Sequence, residues 1–240
     1  MTEVLALERV SKAFGAVRAA DGVSLTVGVR EVLGIIGPNG AGKTTVFNLI
    51  GGDVRADAGT IRFQGADITR LAPHERCRRG IGRSYQIPHP FGGMTVYENL
   101  LVAATFGGGR SERAAAPGCR EILESTGLGA KANRVAGSLG LLDRKRLELG
   151  RALATGPALL LLDEIAGGLT EAESAELVAL IRQIKARGVA MIWIEHVVHA
   201  LLAVADRLLV MNSGATLAEG APAAVMADRE VRRIYLGIEA

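Results

Sequence analysis

Short apolar runs alternate with amphipathic stretches through two parts of this chain. Residues 31–36 form a mostly apolar run of strand length, and residues 159–162 and 189–194 form two more. Between the last two runs, apolar positions recur at helical spacing on one face, at Leu177, Leu180, Ile181 and Ile184. Apolar runs of this length are typical of parallel strands buried on both faces. The pattern predicts an α/β fold whose parallel sheet is covered by helices on both sides.

The beginning of the chain does not follow this alternation. Residues 5–27 have the pattern of short strands separated by turn residues, and we expect a turn at Asp21–Gly22. Short strands joined by tight turns pair in the antiparallel sense. We therefore predict an N-terminal antiparallel β portion ahead of the parallel sheet.

The middle of the chain is predicted to be mostly helical. Thr95 and Glu98 have the spacing of a capping box, and a helix is expected around residues 100–104. Another helix is predicted over residues 118–125, and a third from near Asp143 until the chain approaches Pro157. We interpret this stretch as a helical subdomain inserted into the α/β core.

These patterns give a layout for a single domain over residues 1–240, as expected for a chain of 240 residues. We expect a core formed by residues 1–87 and 151–215. The helical subdomain is predicted over residues 88–150, and residues 216–240 are predicted to form a C-terminal tail.

The composition fits a packed domain and limits the classes of function. Apolar residues make up 49% of the chain and charged residues 22%, so a core can form and disorder is not expected. The two cysteines, Cys77 and Cys119, lie far apart and neither belongs to a CxxC pair. A disulfide framework or a zinc site is therefore not expected, and the chain fits a reducing compartment.

One cluster of basic residues is visible, with Arg70, Arg76, Arg78, Arg79 and Arg83 close together in the sequence. We interpret this cluster as a solvated helix face, and the alternative is contact with nucleic acid or acidic lipid. No aromatic stacking pattern accompanies it, so no nucleic-acid partner is expected.

Neither an export signal nor a membrane span is indicated. The N-terminus carries acidic residues and lacks a basic segment followed by an apolar one. No apolar run reaches the roughly 18 residues that a membrane-spanning helix needs. We expect a soluble, cytoplasmic protein that serves any membrane process as a peripheral partner.

A glycine-rich loop follows the first apolar run and precedes an amphipathic helix. Residues 37–44 match the P-loop pattern GxxxxGK(S/T). Its glycines let successive N–H groups point at phosphate oxygens, and the helix starting near Lys43 adds its positive end. Lys43 would contact the β- and γ-phosphates, and the Thr44 hydroxyl can coordinate Mg²⁺. The candidate nucleotide-binding residues of the loop are Gly37, Pro38, Asn39, Gly40, Ala41, Gly42, Lys43, Thr44 and Thr45.

A pair of carboxylates ends the second apolar run. Asp163 and Glu164 directly follow four leucines. Ligands of open α/β sheets bind at the carboxyl ends of the strands, where this pair lies. We predict that Asp163 holds Mg²⁺ through water and that Glu164 polarises the attacking water.

The P-loop and the acidic strand end lie 120 positions apart, from Lys43 to Asp163, with a helical insert between them. This arrangement resembles the ABC ATPase family over the whole chain. The resemblance implies a P-loop, RecA-like ATPase core that binds ATP and Mg²⁺ and works as a dimer. Gln86 matches the family's Q-loop residue, which implies a catalytic and metal-binding role, and His196 matches the switch histidine. Phe14 falls where an aromatic residue stacks on adenine.

Three positions depart from the family's pattern. The signature, LSGGQ or a close variant, should lie before the arginine-rich helix, but residues 138–143 read SLGLLD. In the family this segment caps the γ-phosphate held by the other subunit, and leucine side chains would obstruct that approach. Ile165 stands where proline is usual, and Thr170 replaces an aspartate that contacts the other subunit. We therefore expect a competent P-loop, a poor lid, and a heterodimer in preference to a homodimer.

Several stretches resemble the ATPase subunits of branched-chain amino acid importers, in particular the first ATPase of such a pair. They lie around Phe91, at residues 94–100 and 147–153, and in the tail at residues 231–237. This resemblance implies transmembrane permease subunits as partners and a position on the inner face of the cell membrane.

Four alternatives stay open at this point. Urea or amide importers and lipopolysaccharide exporters have similar ATPases. A soluble ABC-type ATPase acting on DNA or ribosomes and a non-hydrolysing ATP-binding regulator belong to other classes. Such soluble ATPases carry a coiled-coil insert or two ATPase units, which this chain lacks, and Glu164 and His196 argue against the regulator.

Overall fold

A long hairpin opens the fold in the computed structural model, which describes residues 3–235. Strands β1 (Glu3–Phe14) and β2 (Val17–Gly28) are antiparallel, and β4 (Ala58–Phe63) and β5 (Ala66–Asp67) complete a four-stranded sheet in the order β2-β1-β4-β5. The antiparallel β portion is confirmed, but the turn expected at Asp21–Gly22 is wrong. That dipeptide lies inside β2, where the register to β1 shifts, so a bulge accommodates it without reversing the chain.

The second sheet contains six strands in the order β10-β9-β3-β8-β7-β6. Its first five strands in sequence are mutually parallel, and β10 pairs antiparallel with β9 at one edge. The predicted parallel sheet is therefore confirmed. Its strands are β3 (Val32–Ile36), β6 (Ile81–Arg83), β7 (Leu159–Asp163), β8 (Ala190–Ile194), β9 (Arg207–Asn212) and β10 (Ala215–Gly220).

Nine α-helices are present among residues 3–235. They are α1 (Lys43–Gly51), α2 (Pro73–Arg78), α3 (Val96–Val102), α4 (Glu112–Ser125), α5 (Leu141–Ala154), α6 (Glu171–Ala186), α7 (Val198–Leu202), α8 (Pro222–Ala227) and α9 (Arg229–Tyr235). A π-helical turn over Ala103–Gly107 extends α3, and short 3₁₀ turns lie at Gly129–Lys131 and Ala136–Ser138.

Each central strand contributes to two separate cores, which explains its uninterrupted apolar sequence. Leu159 and Leu161 of β7 face the core enclosed by the two sheets and α1. Leu160 and Leu162 face the opposite core, where Trp193 of β8 and residues of α6 pack. A third core lies between α3, α4 and α5 in the helical segment. The parallel sheet thus holds the loops at its carboxyl edge on a rigid support.

The helical segment differs from its prediction at two points. The helix expected over residues 118–125 begins six residues earlier at Glu112 and continues through Pro117. Proline in a helix forfeits one backbone hydrogen bond, but Ala115 and Cys119 are buried on either side of it and anchor the helix by packing. The helix α5 also continues to Ala154, past residue 150 where the subdomain boundary is predicted.

Two arginines of the basic cluster are not solvated, so the interpretation of that cluster as one exposed face is wrong for them. Arg76 is 1% exposed, and its guanidinium donates to the carbonyls of Leu49 and Ile50 at the end of α1, at 2.5 and 2.9 Å. Arg83 is largely enclosed between the two carboxylates described below. Arg70, Arg78 and Arg79 are exposed as expected. The buried pair stabilises the elements that carry the site.

Candidate functional site

The P-loop connects β3 to α1 and depends on two glycines. Gly37 has φ 154°, and a Cβ atom there would lie 2.2 Å from the carbonyl oxygen of Met211. Gly42 has φ 97°, and a Cβ atom there would lie 2.1 Å from the carbonyl oxygen of Ala19. No side chain can occupy either position without moving backbone. These contacts press the loop against β2 and the β9–β10 turn, where Gly214 donates to the Ala41 carbonyl at 3.0 Å.

Lys43 begins α1 and folds back over its own loop. Its Nζ donates to the carbonyl oxygens of Gly37 at 2.7 Å and Pro38 at 3.0 Å, and the residue is 6% exposed. Burial lowers the pKa of Lys43, and the negative charges of Glu164 and Asp163 oppose that fall. The P-loop lysine and both predicted carboxylates therefore share one electrostatic environment.

The remaining loop residues line an accessible surface around Lys43. Asn39, Gly40 and Thr44 are exposed, while Pro38, Gly42 and Thr45 are half-buried and Gly37 and Ala41 are buried. Thr44 follows Lys43 in the first turn of α1, so its hydroxyl lies at the helix N-terminus. N–H groups of that helix end have no intrahelical acceptor and can bind an anion.

Asp163 is the last residue of β7, and its carboxylate faces Arg83 from the neighbouring strand β6. The Oδ2 atom lies 3.5 Å from Nη2 of Arg83. Burial raises the pKa of Asp163, Arg83 opposes the rise, and the neighbouring charge of Glu164 adds to it. Arg83 also donates to Asp53 at 2.7 Å and to Asn48 at 2.9 Å. The arginine thus connects the end of β7 to the end of α1.

Glu164 lies between two other predicted site residues. Gln86 Nε2 donates to its Oε2 at 2.5 Å, and His196 Nε2 lies 2.8 Å from its Oε1. Glu164 has φ 45°, an uncommon backbone conformation for a residue other than glycine. Three loops that follow the parallel strands β6, β7 and β8 thus bring Gln86, Glu164 and His196 into direct contact. Glu164 is the central member of this group.

Phe14 lies apart from this contact group, at the end of β1. It is 51% exposed, and Lys12 Nζ lies 5.4 Å from its ring centroid. The same hairpin carries Ala19, whose carbonyl borders Gly42 of the P-loop. The exposed ring is therefore free to contact a planar group, on the hairpin that supports the phosphate loop.

The N-terminus of α5 holds the segment that departs from the family's signature. Gly140 is the N-cap residue and provides no side-chain hydrogen bond, and Leu141 is 46% exposed. Asp143 pairs with Lys131 at 2.5 Å and with Arg146 at 3.8 Å. This helix end presents an apolar side chain and a paired acid. It offers a γ-phosphate no hydroxyl donor from residues 140–143.

Sequence reasoning missed two residues of the site. The sequence pattern places Arg83 on a solvated helix face and gives Glu195 no role. Glu195 is 1% exposed and accepts hydrogen bonds from Ala166 N at 3.1 Å and His196 N at 3.1 Å. A charged residue directly before His196 at the end of a buried strand was the available signal, because charged groups are rarely buried without partners.

The side chains of the site limit how a metal ion could be bound there. Within the described part of the chain, no group of three or more His, Cys, Asp and Glu residues could hold a metal ion by itself. Any metal here would be bound by few protein oxygens and completed by phosphate oxygens, as is usual for Mg²⁺.

Among residues 3–235 no helix has the length and apolar character needed to cross a membrane.

The phosphate-binding loop, the acidic end of β7 and the helical insert define a P-loop ATPase of the cassette type. The chain belongs to the ABC transporter family. A family model described as ABC transporter matches residues 20–167, and a second, described as branched-chain amino acid ATP-binding cassette transporter, matches residues 215–240. The chain is therefore an ATP-binding subunit of an ABC transporter, and its activity is transport-coupled ATP hydrolysis.

Two relatives of nearly equal length represent different transport systems. The chain is 38% identical over 249 aligned positions to the high-affinity branched-chain amino acid transport ATP-binding protein BraF of Pseudomonas aeruginosa, covering 98% of each protein. It is 34% identical over 234 positions to the lipopolysaccharide export system ATP-binding protein LptB of Haemophilus influenzae, covering 98% of this chain and 97% of the relative.

A solved structure has the same fold. The crystal structure of an ATP-binding cassette of an ABC transporter in its ADP conformation matches with a TM-score of 0.89 and 34% identity, covering 99% of this chain and all of that one. The match confirms the predicted cassette fold, with its P-loop core, antiparallel β portion and helical subdomain.

Proposed function

We propose that this chain is an ATPase subunit of an importer for branched-chain amino acids. The observation that carries this proposal is the C-terminal segment, residues 215–240, which matches a model specific to branched-chain amino acid transporters. The similarity to BraF, a branched-chain amino acid transport ATP-binding protein, supports the same cargo. In the structure this segment begins as β10 and continues through α8 and α9, which pack on the second core through Val225 and Val231.

In this proposal, the three contacting loops form the hydrolytic site. Glu164 orients the attacking water, because it is the carboxylate adjacent to the Lys43 loop and is held by two neighbours. His196 senses the γ-phosphate, and Gln86 reports nucleotide occupancy to the helical segment. Lys43 and the N–H groups of the P-loop neutralise charge that develops on the transferred phosphoryl group. Phe14 stacks on the adenine.

Mg²⁺ fits the oxygen donors present. Thr44 would contribute its exposed hydroxyl at the start of α1, Asp163 its carboxylate, and Gln86 its amide oxygen. Hard cations of this kind prefer oxygen ligands and keep several waters. When bound, Mg²⁺ would neutralise phosphate charge. Arg83 would keep the Asp163 carboxylate ionised and fixed in direction.

The second subunit is a different ATPase in this proposal. Leu141 at the start of α5 is 46% exposed and packs beside Gly168, so this face offers a poor lid for a partner's nucleotide. A partner with a complete signature would close over Lys43 of this chain. The pair would then contain one efficient and one inefficient ATP site.

The membrane subunits would dock where the core meets the helical segment. A cavity of about 310 Å³ lies there, between the end of α1, α2 and α5. Its lining includes Arg83, Tyr85, Glu148 and Arg151. Tyr85 is 45% exposed and immediately precedes Gln86, so a segment bound in this groove would touch the loop that contacts Glu164. The chain would lie on the inner face of the cell membrane.

Uptake of labelled leucine by the native organism tests the cargo. Deleting the gene should abolish high-affinity uptake, and the wild-type gene should restore it, whereas a Glu164→Gln gene should not. Urea or amide uptake and outer-membrane permeability are measured in the same strains. Leucine uptake that persists, combined with loss of either alternative function, would replace the proposed cargo with that of a urea or amide importer or a lipopolysaccharide exporter. Full transport in the deletion strain would favour a role outside transport.

A further inference from the structure

Glu195 is a buried carboxylate directly after β8 that is saturated with hydrogen bonds. Its Oε2 accepts from Ala166 N at 3.1 Å and from the indole Nε1 of Trp193 at 3.3 Å. Its Oε1 accepts from the backbone N–H groups of His196 at 3.1 Å and Val197 at 3.4 Å. The residue is 1% exposed. Burial raises the pKa of this carboxyl, and the donated hydrogen bonds oppose the rise.

The donors come from both loops that carry the proposed hydrolytic groups. Ala166 lies two residues after Glu164, in the loop following β7. His196 contacts Glu164 directly, in the loop following β8. The Glu195 carboxylate therefore bridges the two loops, since Oε2 accepts from the loop after β7 and Oε1 accepts from the loop after β8.

The loop after β7 requires such an anchor because its backbone is strained. Glu164 has φ 45°, and a non-glycine residue persists in this strained region only where the surrounding structure holds it. Two hydrogen bonds flank the strained residue. Glu164 N donates to the Ile194 carbonyl at 2.9 Å, and Ala166 N donates to Glu195. Both acceptors belong to β8 and the residue that follows it.

A buried lysine extends this arrangement to the helical segment. Lys145 of α5 is 5% exposed. Burial lowers its pKa, while the negative charges of Glu195 and Glu164 counteract that fall. The helix α5 starts at the segment that faces the partner's nucleotide in our proposal. The positive charge of Lys145 thus lies close enough to Glu195 and Glu164 to interact with both carboxylates.

We infer that Glu195 is a positioning residue that fixes Glu164 and His196 relative to each other for ATP hydrolysis. This inference rests on the proposed roles of Glu164 and His196. A carboxylate is required because four N–H donors converge on it, and both oxygens must accept. An amide has one acceptor oxygen, so glutamine would turn its NH₂ group toward one pair of donors. The loop on that side would move away.

Single-turnover hydrolysis by this chain together with the proposed second ATPase subunit, both in excess over MgATP, separates chemistry from binding. We expect Glu195→Gln to lower the rate constant roughly 100-fold, the loss that misplacing a catalytic group by about 1 Å can cause. The dissociation constant for ATP should change less than about threefold, because none of the four hydrogen bonds to Glu195 comes from the P-loop. Glu195→Asp retains two acceptor oxygens and should recover part of the rate.

Trp193→Phe is the matched control. It removes the indole donor to Glu195 but leaves the donors from Ala166, His196 and Val197 in place. Its melting temperature should fall at least as far as that of Glu195→Gln, while its rate constant stays within about threefold of wild type. A purely structural role for Glu195 predicts that rates follow melting temperatures, with Trp193→Phe as slow as Glu195→Gln, and would overturn the inference.

The Glu164→Gln background distinguishes the inference from the site assignment. Effects of residues that act through one group are not additive. Glu195→Gln should therefore add little to the loss already caused by Glu164→Gln. If the losses in rate constant multiply in the double variant, Glu195 acts independently of Glu164. That result would contradict the inference. An unchanged rate in Glu164→Gln alone would reject the proposed site, and a slow Glu164→Gln with a normal Glu195→Gln would reject only the inference.

Discussion

Arg83 places Nη2 3.5 Å from Oδ2 of Asp163, so a permanent cation stands beside a mostly buried carboxylate. The same guanidinium donates to Asp53 and Asn48 and lies over the Tyr85 ring, 4.9 Å from its centroid. Its side chain is only 11% exposed. Burial of the Asp163 charge is costly by itself, and Arg83 offsets that cost without occupying the P-loop.

Replacing Arg83 should therefore destabilise the protein. We expect Arg83→Met to lower the free energy of unfolding by about 3 kcal/mol, because the mostly buried Asp163 carboxylate loses its cation. Arg83→Lys should cost less, since it retains the charge but not the planar fork of donors. Urea unfolding followed by circular dichroism measures both. Arg79→Met is the control, and this exposed arginine of the same region should change stability by no more than about 0.5 kcal/mol. Equal losses for Arg79 and Arg83 would contradict the role given to Arg83.

Lys43→Ala should weaken nucleotide binding more than it weakens the fold. Its two hydrogen bonds to Gly37 and Pro38 contribute about 1–2 kcal/mol to stability. Loss of a charged contact to phosphate should lower ATP affinity roughly 10- to 100-fold. Isothermal titration calorimetry with MgATP gives the affinity, and urea unfolding gives the stability. Lys185→Ala removes a lysine of α6 that pairs with Asp206, and it should leave ATP affinity unchanged. Matching affinities for the two variants would remove Lys43 from the proposed site.

The local parts of the site were predictable because their chemistry is encoded within a few consecutive residues. The P-loop needs glycines at Gly37 and Gly42, and the observed close approaches to backbone explain why. The capping box of Thr95 and Glu98 was likewise visible from two residues three positions apart, and it forms. Local sequence was sufficient wherever a local interaction decides the structure.

The contacts between distant residues could not be derived in this way. Gln86, Glu164 and His196 meet because β6, β7 and β8 are adjacent and parallel in the sheet, an order that no segment encodes alone. Glu195 and Arg83 acquire their hydrogen-bond and ion-pair partners only when the chain folds and buries them. Sequence periodicity classifies such residues as polar and exposed, so their environment becomes visible only in the folded chain.

Glu148 should make stability depend on pH. Burial raises the pKa of this carboxyl, although Arg151 donates to it at 2.8 Å and opposes the rise. The native state therefore binds the proton more tightly than the unfolded state. As pH rises above about 4.3, the ordinary pKa of glutamate, the unfolded state loses its proton first and unfolding becomes more favourable. The wild type should lose stability relative to Glu148→Gln until pH passes the raised native pKa.

Urea unfolding at intervals from pH 3 to pH 8 measures this difference. The gap between wild type and Glu148→Gln should be constant at the acid end, where Glu148 is protonated in both states. It should shift in favour of the glutamine variant as pH rises, and then level off. Glu121→Gln, at an exposed position of α4, provides a flat reference. A shift of opposite sign would mean that Arg151 outweighs burial in setting the pKa.

Thr170 caps α6, and its replacement should lower the stability of the protein without changing nucleotide binding. Its Oγ1 accepts from Glu173 N at 3.3 Å, and Glu173 Oε2 accepts from Thr170 N at 2.9 Å. Thr170→Ala should lower the free energy of unfolding by about 1 kcal/mol. Thr170→Asp keeps an acceptor at the N-cap and should stay within about 0.5 kcal/mol of wild type.

The same pair of variants separates the cap from the subunit contact. The family carries an aspartate at this position, where it contacts the second subunit, so Thr170→Asp should strengthen ATP-driven association. Sedimentation velocity in the Glu164→Gln background, with and without MgATP, measures that association because nucleotide is not consumed. Thr170→Ala serves as the control and should associate no more tightly than Thr170 itself. Threonine and aspartate at position 170 should both cap α6. Tighter association of Thr170→Asp alone would therefore assign the gain to a contact across the dimer. Equal association of all three would restrict Thr170 to its helix.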